Sequence, residues 1–287
     1  MKLLYTFFES IVNTFNWTIQ SILMNVPWYQ NFFYGLILIS LLAWSLEILF
    51  PWRKNQSIIR KDFWLDGFYM FFNFFIFAIF ISGFYAILEQ LFSTIGISIN
   101  SFALLSINEL SPILQLLIFF ILLDFVQWFT HVLLHRFEFL WNFHKVHHSV
   151  KEMGFAAHLR YHWMENIFYK PFKTLAVMLL GGFEPEQAYI VHFIAITIGH
   201  INHSNVKITW GPLKYVFNNP VMHLYHHAYT LPNKYGVNFG ISLSLWDYLF
   251  KTNYIPKPNA NEKLGFEGDE SFPSDFISQN LYGFKKK

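Results

Sequence analysis

The chain has 287 residues, 54% hydrophobic and 21% aromatic, with 13% charged and a net charge of +2. That charged share is about half of what a soluble domain carries, so lipid must cover much of the surface. The small net charge argues against nucleic acid as a partner. The absence of cysteine excludes disulfides and thiolate metal sites.

Residues 3–24 place Thr6, Glu9, Asn13, Asn16 and Gln20 at helical spacing among apolar residues. This predicts an amphipathic helix at the membrane interface, within an N-terminal segment 1–30. A single Lys2 and an interrupted apolar run do not read as a cleaved signal peptide. Residues 31–50 are nearly all apolar, long enough to cross roughly 30 Å of hydrocarbon. They end at Phe50-Pro51-Trp52-Arg53-Lys54, an interface anchor. A second span is expected at 67–88 and a third at 113–134. Residues 174–206 form two further apolar arms around Gly181-Gly182-Phe183-Glu184-Pro185. They read as two more spans or as a re-entrant hairpin. The expected fold is an all-α integral membrane protein of about four transmembrane helices, or three plus a hairpin, with a histidine-rich helical cap. Residues 31–253 make the membrane-embedded domain and 254–287 a soluble, irregular tail. Lys285-Lys286-Lys287 read as a solvated end.

Lysine and arginine set the orientation. Arg53, Lys54, Arg60 and Lys61 lie between the first two spans. None follows until Arg136, Lys145, Lys151 and Arg160. The positive-inside rule puts 51–65 and 136–170 in the cytoplasm and 89–112 outside, as in a bacterial inner membrane or its equivalent.

Ten of the thirteen histidines fall in four clusters. His131 and His135 are spaced HxxxH. His144, His147 and His148 are spaced HxxHH. His200 and His203 are spaced HxxH. His223, His226 and His227 repeat HxxHH. Residues i, i+3 and i+4 share a helix face, so each cluster aims its imidazoles together. Ten imidazoles can surround two metal ions, five each. Neutral imidazole suits iron, zinc and copper. The topology, derived without the histidines, brings all ten to the cytoplasmic face. A lone histidine is more often packed or exposed than a ligand, but two HxxHH motifs with an HxxxH exceed coincidence. His200 is the weakest member of the set.

His158 and His162 form another HxxxH and read as hydrogen-bond partners of ligands rather than as ligands. Asp124, Glu165, Asn219 and Asp247 are acceptor candidates of the same kind. His192, alone on an apolar arm, reads as structural. No HExxH, GxSxG, GxGxxG or P-loop occurs, and the ExxH pairs of soluble di-iron bundles are missing.

The stretch DFVQWFTHVLLHRFEFLWNFHKVHHSV resembles the fatty acid hydroxylase/sterol desaturase superfamily. The matching residues are Asp124-Phe125, Trp128, His131, His135-Arg136, Leu140-Trp141, His144 and His147-His148-Ser149. Leu159 to Glu165 resembles the family's LRxHPxE segment, and His203-Ser204-Asn205 its HSN. Asn219-Pro220, His223 and His226-His227 resemble its last box. Asn233, Tyr235-Gly236 and Leu245 to Phe250 resemble its closing elements, and Phe50 to Arg53 the loop before its second span. The resemblance covers about 40–255. Trp163 stands where proline is common, Lys251 where glycine is common, and Thr130 departs within a matching run. None of these removes a ligand.

The resemblance implies a membrane-bound, O2-dependent oxidoreductase with two iron ions, some relatives holding zinc instead. It also implies a lipid substrate: an acyl chain, a sterol, an alkylglycerol or a carotenoid. No flavin, haem or Fe–S motif is visible, so a separate electron-donor protein is expected, and the basic cytoplasmic face suits an acidic one. Hydroxylation and desaturation both stay open, and oligomeric state has no signal. Other readings are a non-catalytic zinc or iron-binding protein, a metal transporter, and a metal-dependent hydrolase. A transporter would carry ionisable groups through the bilayer centre, whereas the candidate ligands here cluster at one end of the spans. A hydrolase would want a carboxylate base beside the imidazoles.

Overall fold

The computed structural model describes residues 1–98, 101–104, 107–181 and 185–285. Among these residues there are helices and turns joined by isolated bridges, and no strand. Helix α1 runs Lys2–Ile22 and α2 Phe32–Leu49. Helix α3 runs Phe63–Thr94, with a five-residue π turn at Phe72–Ile76. Helix α4 is Pro112–Arg136, opened by a proline whose missing N–H costs nothing in a first turn. Helices α2, α3 and α4 are long and apolar enough to cross a membrane. Leu38, Leu41 and Leu42 on α2, Phe80 and Phe84 on α3 and Ile113 on α4 are exposed, as lipid-facing side chains are.

Helix α1 packs along the second half of α3. Thr6 Oγ1 donates to Gln90 Oε1 at 2.7 Å, and Phe7 meets Phe84 edge-on at 5.1 Å. Asn31 ties the two ends together: its Nδ2 donates to Ser21 O, and its Oδ1 caps α2 at Tyr34 N–H.

Helices α6 (Trp163–Leu180) and α7 (Pro185–His203) are the two apolar arms expected around the Gly181–Pro185 break, and each packs against α4. Gly181, at φ +62°, ends α6. The rest of the predicted turn, 182–184, lies outside the described residues, as do Lys286 and Lys287. Near the tip, Gln187 Nε2 donates to Gln115 Oε1 at 2.5 Å. Gln115 is sixteen residues before His131, about 24 Å along α4 at 1.5 Å per residue. Helix α7 therefore runs along most of the length of α4.

A single extended residue sets up the cap. Phe137 (φ −102°, ψ 119°) breaks the helix between α4 and α5 (Glu138–His148), folding α5 back on the end of α4. Helices α8 (Pro220–His226), α9 (Leu245–Leu249) and α10 (Phe276–Tyr282) complete the cap. The C-terminal segment, expected as irregular surface, docks α10 against α3. Phe276 packs on Phe68, Tyr69 and Phe72 at 4.8 Å each, and Tyr69 OH donates to Gln279 Oε1 at 2.9 Å. Buried Arg160 joins the cap to α3 through Asp62 at 3.1 Å and Asp66 at 3.2 Å, and Arg60 also pairs with Asp66. Such a buried network fixes geometry more surely than it adds stability.

Candidate metal centre

Nine of the ten predicted imidazoles converge, in two groups. Ligand atoms of His131, His135, His144, His148 and His226 all lie within 4.8 Å of one another. Those of His147, His203, His223 and His227 do the same. Each HxxHH turn is divided between them. His144 and His148, at i and i+4, enter the first group and His147 the second. The later turn does the reverse, with His226 in the first group and His223 and His227 in the second. At 100° per residue, i+3 and i+4 point 100° apart, so one turn faces two centres.

The partners of the ring nitrogens give the groups their direction. His131 Nδ1 donates to Phe239 O at 2.7 Å, His147 Nδ1 to Arg160 O at 3.1 Å, His203 Nδ1 to Gly199 O at 2.8 Å and His226 Nδ1 to Val237 O at 2.8 Å. His144 Nδ1 meets Glu165 Oε2 at 3.1 Å. A proton committed to Nδ1 leaves a lone pair on Nε2. Nε2 atoms face each other across the groups: His131 and His144 at 3.1 Å, His203 and His223 at 2.9 Å, His203 and His147 at 3.3 Å.

Other ring atoms are buried without a hydrogen-bond partner: Nε2 of His135, His148, His226 and His227, and Nδ1 of His223 and His227. Each such atom costs about 1–3 kcal/mol unless something ligates it. Burial holds the His144 imidazole down to about 3. Burial and then neighbouring imidazoles hold His147, His148, His223, His226 and His227 well below the usual value. The rings are thus neutral at neutral pH, the form that binds cations. Converging, neutral, desolvated nitrogens fit two metal ions.

His200 does not join either group. Its Nε2 lies 3.1 Å from Ser40 Oγ and its Nδ1 2.9 Å from His158 Nδ1. His158 packs 5.0 Å from His203. His162 caps α6 by accepting Met164 N–H at 3.0 Å, and its Nε2 donates to Asn280 O at 2.8 Å. His192 stacks on Phe32 at 5.6 Å.

Of the four acceptor candidates, Glu165 alone bonds the imidazole of a ligand. Asp247 acts one step further out. It accepts Phe239 N–H, Gly240 N–H, Trp128 Nε1–H and Thr252 Oγ1–H, at 2.6–3.0 Å. It thereby fixes the peptide whose carbonyl holds His131. Burial pushes the Asp247 carboxyl up, and the four donors pull it back. Asp124 accepts Ser242 N–H and Leu243 N–H on the same loop and Trp246 Nε1–H from α9. Asn219 caps α8 at Met222 N–H, 3.0 Å, and so orients three histidines at once. The carbonyls of Phe239, Arg160, Gly199 and Val237 were not predicted, because a backbone acceptor leaves no mark on residue type.

A cavity of about 220 Å³ opens from His131, His144, His147 and His158. It runs between α4, α6 and α7 past Gln127, Tyr169 and Ala195 to Phe120, Lys173 and Val191. Glu165 to Lys173 alone spans about 12 Å of helix. A second recess, on the far side of the first group, is lined by His135, His148, Arg136, Lys145, Lys234 and Tyr235, among others.

The fatty acid hydroxylase family model matches residues 116–252, which hold all ten clustered histidines. The ornithine lipid hydroxylase OlsE of Rhizobium tropici is 29% identical over 173 residues, 60% of this chain and 51% of that protein. The alkylglycerol monooxygenase of Caenorhabditis elegans is 28% identical over 45% of this chain and 25% of its own length. The sphingolipid C4-hydroxylase of Schizosaccharomyces pombe is 27% identical over 53% of this chain and 52% of its own. This chain thus spans about half of each hydroxylase and a quarter of the monooxygenase. No solved structure matches it. With the histidine boxes in order and the family model matched across all of them, the chain is similar to the fatty acid hydroxylase family over the segment that carries both histidine groups.

Proposed function

We propose that this protein is an O2-dependent, di-iron lipid oxidoreductase that hydroxylates an unactivated C–H of a membrane lipid. One observation carries the reading. Two groups of buried, neutral imidazoles sit at the head of a cavity that runs between membrane helices. Hydroxylation is favoured over desaturation because the similar proteins are named hydroxylases and monooxygenases.

Iron held by His131, His135, His144, His148 and His226 and by His147, His203, His223 and His227 would supply O2 activation and C–H oxidation. The chain's own part is positional. Asp247, Asp124 and Asn219 fix the loop and helix that carry the imidazoles. Leu123, Ala195 and Ile196 line the path of an apolar chain and keep water from the centre. The Lys/Arg distribution supports a centre on the cytoplasmic side. The recess over His135 and His148, lined by Arg136, Lys145 and Lys234 together with Glu138 and Glu267, is the side from which an electron-donor protein would reach the centre.

The test is expression with iron in a host whose lipids are then compared by mass spectrometry with those of a His147→Ala host. Lipids heavier by one oxygen atom, absent with the variant, support hydroxylation. Lipids lighter by a hydrogen pair move the reading to desaturation. Identical lipid profiles under aerobic, reducing conditions overturn it.

A further inference from the structure

We propose that His158 is the fifth ligand of the second histidine group, in the place that spacing gives to His200, and that His200 is its hydrogen-bond acceptor. This rests on the two-ion reading above. The first group holds five imidazoles and the second four. Beside the second group stand two more rings: His158, 5.0 Å from His203, and His200, behind it.

Hydrogen-bond partners distinguish the two. Ser40 Oγ–H donates to Leu36 O at 2.7 Å, with Met70 Sδ at 3.7 Å as its other acceptor. With that proton on Leu36 O, the shortest of its contacts, its oxygen accepts Nε2–H of His200 at 3.1 Å. That leaves Nδ1 of His200 bare. It accepts Nδ1–H of His158 at 2.9 Å. The chain of donors ends with a lone pair on Nε2 of His158, a ring that lines the cavity beside His147 and His144. This is the pattern of His131, His147, His203 and His226, whose Nδ1 is tied outward to an acceptor. His200 breaks it, since both of its ring nitrogens are engaged.

Gly199 makes the arrangement possible. A Cβ there would run into the His158 ring at Cε1, Nε2 and Nδ1. Gly199 is four residues before His203, one turn back on the same helix face. The His158 ring, carried by the Phe155–Leu159 turn, thus fills the space that a side chain at 199 would take.

The test is metal content and affinity of the detergent-purified protein, loaded with zinc or with iron, with cobalt(II) absorption spectra as a second readout. The wild type should hold two ions. His158→Ala should hold one tightly, with the first group's cobalt spectrum unchanged. Gly199→Ala, which removes no ligand, should behave the same. His200→Ala should keep both ions but bind the second about ten-fold more weakly. A His158→Ala/Gly199→His double variant should regain the second ion. Two ions at unchanged affinity in His158→Ala, with loss of one in His200→Ala, would overturn the assignment. Should His158→Ala lose both ions through misfolding, Gly199→Ala decides alone: one ion supports the assignment, two overturn it. A wild type with fewer than two ions overturns the two-ion reading itself, a separate result.

Discussion

Glu165 Oε2 lies 3.1 Å from Nδ1 of His144, both side chains buried, while Nε2 of His144 faces His131. The carboxyl group thereby sets the direction of the His144 lone pair. A Glu165→Gln variant keeps the shape and loses the stronger acceptor. Metal affinity should fall about 10- to 100-fold with the fold intact. Titration of the metal-free protein with zinc measures this, and unchanged affinity would count against an orienting role.

Asp247 gathers four donors from three segments around one carboxyl group. Asp247→Ala leaves those donors buried and unpaired, at about 1–3 kcal/mol each before relaxation. Stability should drop by about 3 kcal/mol or more, seen as a clearly lowered Tm in detergent. Because Phe239 O holds His131, the first group should also bind metal more weakly. A Tm close to that of the wild type would show that water or a shifted loop replaces the carboxyl group.

Acid should unfold the metal-free protein early. The imidazole of His144 is held at about 3 in the fold, against about 6.5 in an unfolded chain. Between those values the unfolded state takes up a proton that the folded state does not. Stability therefore falls as pH drops below about 6.5, by about 1.4 kcal/mol per unit for each such histidine. His147, His148, His223, His226 and His227 are shifted in the same direction and add to the slope. Above pH 7 the curve should be flat in this respect. A Tm constant from pH 7 to pH 5 would show that these rings are not held neutral.

Removing metal with a chelator should lower Tm, because the converging buried nitrogens lose their ligand. A ligand at a thousand times its Kd stabilises the folded state by about 4 kcal/mol. Re-addition should restore Tm in two steps if the groups differ in affinity. A chelated protein with the Tm of the loaded one would argue that the groups hold no ion.

Ala195 lines the cavity on α7 beside Ile196. Ala195→Phe should block the path of an apolar chain while leaving every histidine in place. Product formation should fall at least ten-fold with metal content unchanged. Unimpaired turnover would move the substrate path elsewhere.

The order of the histidine boxes, the apolar spans and the side of the chain that carries cations are local properties, written in spacing and composition. They determined an imidazole-rich centre at one end of a helical membrane domain. What spacing did not decide is how the rings are shared. One turn of HxxHH points two ways, and the meeting of α5 with α8 assigns His147 to one group and His148 to the other. Spacing also pairs His200 with His203, since i and i+3 share a face. Packing brings Ser40 to His200 and lays His158 over the side-chain-free Gly199, a contact between residues 41 positions apart that no local pattern encodes. The orienting carbonyls of Phe239, Arg160, Gly199 and Val237 are invisible in sequence for the same reason. Every residue carries a carbonyl, and only the tertiary fold chooses which ones face a histidine.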